Sequence, residues 1–182
     1  MQWIIPGTTL TGERANADRV DGLFQSLFLA GGLTLSQVAS ITGLEPYTVQ
    51  NWVKRGFLPS PKNKRYDMEQ LCRLININIL KGTMPLEQIQ KLMGYLNGDL
   101  ADESDDLVDD TLLFFLFVKL AARARYIGGT ESWDDALIHA TEDYAEPIPG
   151  ARDKLIKVLK VMLTIWMANC LKAEAERMIA EL

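Results

Sequence analysis

Residues 35–58 read LSQVASITGLEPYTVQNWVKRGFL, and this stretch decides how the first half of the chain folds. Just before it, Thr34 is a good helix N-cap, and Gln37 follows at the three-residue spacing of a capping box. Gly43 tolerates the positive φ that a tight turn needs, and Pro46 suits the first position of a helix. The stretch therefore predicts two short helices joined by a turn at Gly43.

The same stretch contains the small and apolar residues that a helix-turn-helix requires. Ala39 is small at the point where the two helices would cross. At 100° per residue, the second helix turns three apolar side chains to one side and polar or basic side chains to the other. The apolar side holds Val49, Trp52 and Val53, whereas the polar arc and its flanks hold Tyr47, Thr48, Gln50, Asn51, Lys54 and Arg55.

This outward set has the chemistry of a recognition helix for double-stranded DNA. Asparagine and glutamine amides pair with adenine edges, and lysine and arginine meet guanine or phosphate. The N-terminal residues of such a helix usually face the bases. We therefore expect base contacts from Tyr47, Gln50 and Asn51, and mainly phosphate contacts from Lys54 and Arg55.

A longer pattern resembles the winged helix-turn-helix of the MerR type. It consists of GLxxxTVxxWxxxGFL over residues 43–58, then KRY at residues 64–66, and later Gly82 followed by PLEQI at residues 85–89. The resemblance covers about a third of the chain. In MerR-like proteins an Arg-Tyr pair after the loop anchors the wing to phosphates. The resemblance gives that role to Arg65 and Tyr66, helped by Lys62 and Lys64.

A narrower resemblance is to the bacterial domain-of-unknown-function 1836 family (DUF1836), which is regarded as MerR-like. It rests on AGGLTL at residues 30–35, QNWVKRG at residues 50–56 and LNG at residues 96–98. We expect this resemblance to continue past the acidic stretch Asp99–Asp110, and it implies no established effector.

The chain also departs from the MerR pattern. Gln50 stands where MerR-like recognition helices usually have arginine, and the loop between Leu58 and Lys64 is short, so the wing should be small. The metal-sensing cysteines of MerR itself are absent. The part after Gly98 does not resemble the simple antiparallel coiled coil of that family.

Charge separates the predicted DNA-binding segment from the rest of a chain whose net charge is -5. Residues 33–97 carry eight basic and four acidic side chains, whereas residues 98–182 carry nine basic and 17 acidic side chains. Local potential matters more than total charge for nucleic-acid binding. The basic segment therefore favours DNA binding, and the acidic segment should face away from DNA.

The remaining pattern predicts an all-α protein in three parts: an arm and helix over residues 1–32, a MerR-like winged helix-turn-helix over residues 33–98, and an acidic α-helical dimerisation or effector region over residues 99–182. The helix near residues 68–81 is apolar on two faces, so it should lie between layers. The last helix is apolar almost all round at its middle, which favours a second subunit. Further helices are expected near residues 15–30, 107–126, 133–144 and 151–181.

We thus expect a homodimeric, cytoplasmic, non-enzymatic transcriptional regulator with an unknown effector and no cofactor, catalytic residue or metal. No apolar run approaches the ~18–20 residues that cross a bilayer, and the first residues lack the features of a signal peptide. Cys72 and Cys170 are isolated, which favours a reducing compartment. Cys72 should lie in the core and Cys170 on the apolar face of the last helix.

Two alternatives remain open. One is a MerR-fold adaptor that binds protein and not DNA, for which Lys64 and Arg65 would be dispensable. The other is a metal-dependent all-α phosphohydrolase, since carboxylates at i, i+4 spacing can share a divalent ion, although they also suit a helix start. The lone His139 and the tryptophans Trp3, Trp133 and Trp166 fit packing better than chemistry. The acids of that alternative are Glu103, Asp105, Asp106, Asp109 and Asp110, completed by Asp134, Asp135, Glu142 and Asp143.

Overall fold

A computed structural model of the chain describes residues 2–98, 106–124 and 132–182. These residues are mostly helical, as the all-α prediction requires, with one small two-stranded sheet. The α-helices within the described ranges are α1 Val20–Leu27, α2 Leu35–Thr42, α3 Pro46–Lys54, α4 Met68–Leu80, α5 Leu86–Asn97, α6 Asp110–Arg123, α7 Trp133–Ala140 and α8 Ala151–Ala180.

The chain opens with a hairpin that the sequence patterns did not predict. Strands β1 Gln2–Ile4 and β2 Thr11–Glu13 pair in antiparallel fashion and lead into a 3₁₀ helix, Arg14–Arg19. The single helix predicted over residues 15–30 is wrong in extent. Asn16 leaves helical geometry at φ -107° and ψ 24°, so a regular α-helix begins only with α1.

The two helices predicted around Gly43 are confirmed. The Thr34 hydroxyl accepts the Gln37 N–H at 3.3 Å, and the Gln37 side-chain oxygen accepts the Thr34 N–H at 2.9 Å, which completes the capping box. Gly43 ends α2 in the left-handed region at φ 68°, where a side chain would be strained. Pro46 is the first residue of α3.

The N-terminal loop between the strands fixes the end of α2 from outside. Thr9 donates from its hydroxyl to the Ser40 carbonyl at 2.7 Å and from its backbone N–H to the Ile41 carbonyl at 2.7 Å. The Asn78 side-chain amide on α4 donates to both the Gly7 and the Thr42 carbonyl oxygens. These bonds satisfy the last carbonyls of α2, so the N-terminal segment supports the α2–α3 pair.

Helix α4 is sandwiched, as its two apolar faces predicted. It begins at the capping box of Asp67 and Gln70, and ten of its 13 residues are buried. It packs against α6 and α8, as well as α2 and α5. The buried apolar side chains form one cluster that runs from Trp3 to Leu163. This cluster is continuous across the boundaries predicted at residues 32 and 98. The division into three parts stays a prediction.

The later helices are mostly shorter than predicted. Helix α6 was predicted near residues 107–126, but it starts at Asp110 because the Asp109 carboxylate accepts the Leu112 N–H at 2.7 Å and caps it. The predicted end at residue 126 lies outside the described ranges. Helix α7 ends at Ala140, four residues before the predicted Tyr144. Helix α8 has 30 residues, close to its predicted span. Among the described residues, none of the helices combines the length and apolarity needed to cross a membrane.

Candidate nucleic-acid interface

Helix α3 turns a polar face outward, as predicted. Val49 is fully buried and Trp52 is 3% exposed, because both pack into the core beneath the helix. On the other side Tyr47 is 75% exposed, and Gln50 and Lys54 are exposed as well. Asn51, expected in the outward arc, is only partly exposed, as is Thr48 on the flank.

The polar side chains on this face have no partner within the described parts of the chain. Neither Gln50 nor Asn51 makes a side-chain hydrogen bond there, and neither Tyr47 nor Lys54 makes a hydrogen bond or ion pair. Buried polar groups must be paired inside the protein, whereas exposed groups can exchange water for a ligand. We name these four residues the α3 face.

Arg55, at the end of α3, is held by its neighbours. Its guanidinium donates to a Glu87 carboxylate oxygen of α5 at 2.8 Å and lies 4.8 Å from the centre of the Phe57 ring. Both charged side chains are largely exposed, so the ion pair contributes little to stability, on the order of 0–1 kcal/mol. Arg55 is therefore oriented but remains free to exchange Glu87 for a phosphate.

The 59–66 loop, defined as residues 59–66, ends in a tight turn. The Arg65 N–H donates to the Lys62 carbonyl at 2.9 Å, and the central residues Asn63 and Lys64 have φ of 51° and 59°. Positive φ at both central residues is the geometry of a two-residue hairpin turn, in which asparagine is favoured. Lys62 and Lys64 are exposed, with no ion pair to any residue the structure describes.

The base of the loop is anchored to the start of α2. Tyr66 and Leu33 exchange two backbone hydrogen bonds of 2.8 Å, and the Arg65 guanidinium donates to the Gly32 carbonyl at 2.9 Å. A Cβ atom on Gly32 would lie 2.9 Å from the Tyr66 carbonyl oxygen, so only glycine permits this approach. Arg65 itself stays exposed at the surface.

Tyr66 is more deeply packed than Arg65. The residue is only 3% exposed and belongs to the core cluster, and its expected contact with phosphate stays a prediction. Burial also raises the pKa of its hydroxyl. The backbone alternates sides along an extended segment, so Arg65 points outward and Tyr66 inward. Tyr66 therefore anchors the loop from within.

A buried polar cluster that sequence reasoning missed joins the end of α3 to α6. Arg73 of α4 donates through Nε to the Phe57 carbonyl and through Nη1 to the Asp110 carboxylate, both at 3.0 Å. The Asn76 amide donates to the same carboxylate at 3.2 Å. Burial raises the pKa of Asp110, and the Arg73 guanidinium opposes that shift. The three-residue spacing of Gln70, Arg73 and Asn76 places three polar side chains on one side of α4, but it does not indicate Asp110 as their partner.

A small cavity of about 110 Å³ lies beside this cluster, between the 59–66 loop and α4. Its lining includes Gln70 and Arg73 of α4, Lys62 of the 59–66 loop and Asp110 of α6. Its shape therefore depends on the positions of the loop and of the start of α6.

Five acids of the phosphohydrolase alternative have partners within the protein. Asp109 caps α6 and Asp110 pairs with Arg73, while Asp105 and Glu103 lie outside the described residues. In residues 2–98, 106–124 and 132–182, no three histidine, cysteine or carboxylate side chains are grouped to hold a metal ion. Asp134 pairs with Lys160 of α8, whereas Asp135 and Glu142 pair with the nearby Ser132 and His139.

The two cysteines differ from each other. Cys72 is fully buried, as expected, and burial raises the pKa of its thiol. Cys170, which was expected on the apolar face of the last helix, is exposed. The chain's own core covers α8 only over its first half, and Cys170 lies beyond that part. Trp3 is 8% exposed and lies in the core cluster, and Trp133 and Trp166 pack at its margin.

Part of the chain is similar to known proteins. Residues 32–111 match the family described as a domain of unknown function (DUF1836), as the narrower resemblance predicted, and the match passes the acidic stretch. A Bacillus subtilis (strain 168) protein, "Uncharacterized protein YkrK", is 30% identical over 78 residues, which is 41% of this chain. The match covers 34% of that relative, about a third of its length. No solved structure shows significant similarity to the chain.

The matched segment ends just beyond Asp110. It therefore contains α2, α3, the 59–66 loop, α4, α5 and the carboxylate that closes the Arg73 cluster. This boundary lies 13 residues beyond the predicted end of the DNA-binding part at Gly98, and the buried cluster gives a structural reason for the difference.

Proposed function

We propose that residues 32–111 form a winged helix-turn-helix of the MerR type that binds double-stranded DNA in a sequence-specific way, and that the protein is a cytoplasmic transcriptional regulator. Helix α3 enters the major groove as the recognition helix. The 59–66 loop is the small wing and meets the phosphate backbone. The observation that carries the proposal is the α3 face, where amides and a lysine stand unpaired opposite a fully packed side.

The roles of individual residues follow from their positions. Gln50 and Asn51 have amides that can each pair with an adenine edge in the major groove, and Tyr47 beside them is 75% exposed. Thr48 lies on the flank and can bond a phosphate or base through its hydroxyl. The basic positions Lys54, Arg55, Lys62, Lys64 and Arg65 supply the phosphate contacts.

Tyr66 supports the wing from within. Its buried ring and its paired backbone fix the direction of the loop that carries Arg65. Glu45, exposed at the start of α3, is the acid that opposes phosphate at this end of the helix.

Salt dependence tests the phosphate part of this proposal. Five basic side chains in each of two subunits could make up to ~10 phosphate contacts, each contributing roughly 0.9 to the slope of log K against log salt. We expect affinity for duplex DNA, measured by fluorescence anisotropy, to fall steeply between low and moderate salt. Binding that is insensitive to salt would contradict the proposed interface.

One observation favours the adaptor as a second candidate. Tyr47 is 75% exposed on a well-supported helix, and exposed tyrosines are frequent anchors at protein interfaces. An adaptor does not bind DNA phosphates, so the double variant Lys64→Ala with Arg65→Ala would leave the binding of its partner protein unchanged. In the DNA-binding protein the same double variant weakens binding to every duplex.

A further inference from the structure

An open groove of about 630 Å³ runs along helix α6 and has no role in the proposed DNA binding. Both Asp109, just before α6, and Lys119 line it, so it extends for ~15 Å along that helix at 1.5 Å per residue. Its other wall is formed by the segment that follows α7, within residues 140–147. We name this feature the α6 groove.

The floor of the α6 groove is apolar. Leu112 and Leu116 lie one turn apart on α6 and are 36% and 7% exposed, and Tyr144 of the other wall is partly buried. Ala145 and Pro147 are exposed, so the groove is open along that side. A pocket for a small molecule instead encloses roughly 70–90% of its ligand. An open apolar groove of this length suits an amphipathic helix.

Charge at the rim of the α6 groove selects the sign of the partner. Three acidic side chains and one basic side chain line it: Asp106, Asp109, Asp143 and Lys119. The Lys119 ammonium lies 3.9 Å from an Asp18 carboxylate oxygen. The exposed Asp143 side chain makes no hydrogen bond or ion pair with another residue of the described ranges. An acidic rim around an apolar floor is complementary to a basic amphipathic segment.

Hydrogen bonds fix the walls of the α6 groove before any partner binds. The Asp109 carboxylate accepts the Leu112 N–H at 2.7 Å and holds the start of α6. The Tyr144 hydroxyl donates to the Leu107 carbonyl and so joins the two walls. The Leu107 N–H in turn donates to the Leu96 carbonyl of α5 at 3.1 Å. A preformed groove avoids the entropic cost of ordering a mobile surface on binding.

A neighbouring cleft of about 610 Å³ shares Lys119 and Asp143 with the α6 groove but differs from it in charge. Its lining balances three acidic side chains with three basic ones, besides His139. These are Asp18, Glu142 and Asp143, and Arg14, Lys119 and Arg123. The neighbouring cleft therefore favours neither sign of charge, and the preference for a basic partner belongs to the α6 groove alone.

We propose that the α6 groove binds a basic amphipathic segment of a partner protein. The apolar side chains of that segment pack on Leu112 and Leu116, and its basic side chains meet Asp109 and Asp143. The ~15 Å length of the groove matches about ten helical residues. This inference goes beyond the proposed function and does not depend on DNA binding, because neither the α3 face nor the 59–66 loop lines the groove.

The first test is fluorescence anisotropy of the full chain with a labelled peptide of about 12 leucine and lysine residues arranged as an amphipathic helix. We expect saturable binding of one peptide per chain. Two companion peptides, with serine in place of leucine or glutamate in place of lysine, should not bind. Absence of binding by the leucine–lysine peptide, or equal binding by the serine–lysine peptide, would overturn the proposal.

Removing the rim charges tests whether the peptide lies in the groove. Asp109→Asn with Asp143→Asn should weaken binding of the leucine–lysine peptide by roughly fivefold or more, because two exposed charge contacts are lost. Asparagine caps a helix as well as aspartate does, so α6 should keep its start. The matched control is Asp21→Asn with Asp153→Asn, at two exposed carboxylates outside the groove. Equal weakening in the two double variants would show unspecific attraction to an acidic protein and overturn the proposal.

A single charge reversal keeps the test valid if circular dichroism shows that the double rim variant has lost helix. Asp143→Lys changes an exposed side chain that has no partner in the described ranges, so the fold should be unaffected. The variant should bind the leucine–lysine peptide less tightly than the wild type. Unchanged affinity in a folded Asp143→Lys variant would overturn the proposal.

Octylamine distinguishes a peptide from a small amphiphilic cation, the other occupant that this chemistry allows. Octylamine at the concentration of the peptide should not displace it, and displacement would assign the groove to a small cation and overturn the proposal. In NMR spectra, the peptide should shift the amide signals of Leu112 and Ala145 and leave that of Tyr47 on α3 unchanged. The reverse pattern would also overturn the proposal. None of these readouts involves DNA, so a failure here is distinct from a failure of the proposed DNA binding.

Discussion

Helices α3 and α4 follow one another in the chain and treat their polar side chains in opposite ways. On α4, the side chains of Gln70, Arg73, Asn76 and Asn78 donate to backbone carbonyls or to Asp110, and three of these four residues are buried. On α3, the polar side chains of the α3 face have no partner in the described chain. The polar side chains of α4 therefore stabilise the fold, whereas those of the α3 face are available to bind a ligand.

Removing the buried carboxylate gives the largest expected effect. Asp110→Ala would leave the Arg73 charge without its partner inside the core, and breaking a buried ion pair in this way costs about 3–5 kcal/mol. Urea unfolding followed by circular dichroism measures the loss. Asp134→Ala, which removes one partner of the exposed pair with Lys160, is the control and should cost less than ~1 kcal/mol. Equal losses in the two variants would mean that the α4 cluster does not hold the fold together.

Removing an amide from the α3 face should affect binding without affecting stability. Asn51→Ala loses a contact to a base edge worth ~1–3 kcal/mol in each subunit, so affinity for the preferred duplex should fall between about fivefold and 150-fold per half-site. Binding to unrelated duplexes and the urea midpoint should stay close to wild type. A lower urea midpoint with unchanged affinity would place Asn51 with the structural residues of α4 and break the comparison.

A change in the 59–66 loop should weaken binding to all sequences alike. Lys64→Ala removes one phosphate contact per subunit, which lowers affinity severalfold for every duplex and reduces the salt slope by about 1 per subunit. Anisotropy titrations at several salt concentrations measure both quantities. A loss confined to one DNA sequence would instead assign Lys64 to base recognition.

The smallest expected effect has the opposite sign. Glu45→Gln removes the acid at the start of α3, so affinity for any duplex should rise by roughly twofold. The Glu45 carboxylate also interacts favourably with the dipole at the N-terminus of α3. Its removal should therefore lower the free energy of unfolding by about 0.3–1 kcal/mol. Both quantities come from the titrations and urea curves already described. A drop in affinity would show that Glu45 accepts a hydrogen bond from a base and belongs with the α3 face.

Local features of the fold could be predicted from the sequence because their causes lie within a few residues. The Thr34 capping box, the turn at Gly43 and the start of α3 at Pro46 each depend on neighbours at most three or four positions away. The division of α3 into a packed and an open side follows from the helical period in the same way. Three of the four members of the α3 face, Tyr47, Gln50 and Lys54, are exposed as expected, whereas Asn51 is partly buried.

Long-range features left no such signal. Arg73 and Asp110 are 37 residues apart in sequence, and the acidic stretch gave no indication that one member is buried while its neighbour Asp109 caps a helix. The inward turn of Tyr66 depends on its pairing with Leu33 across the molecule. The N-terminal hairpin consists of three-residue strands, which are too short to show an alternating pattern.

The most direct test of the central claim is selection of bound fragments from the DNA of the source organism at moderate salt, comparing wild type with Asn51→Ala combined with Arg65→Ala. We expect that wild type enriches a palindromic site and that the double variant, folded and in the same oligomeric state, does not. Absence of enrichment by a folded wild-type protein, or equal enrichment by both proteins, would contradict the assignment of the α3 face and the 59–66 loop to DNA binding.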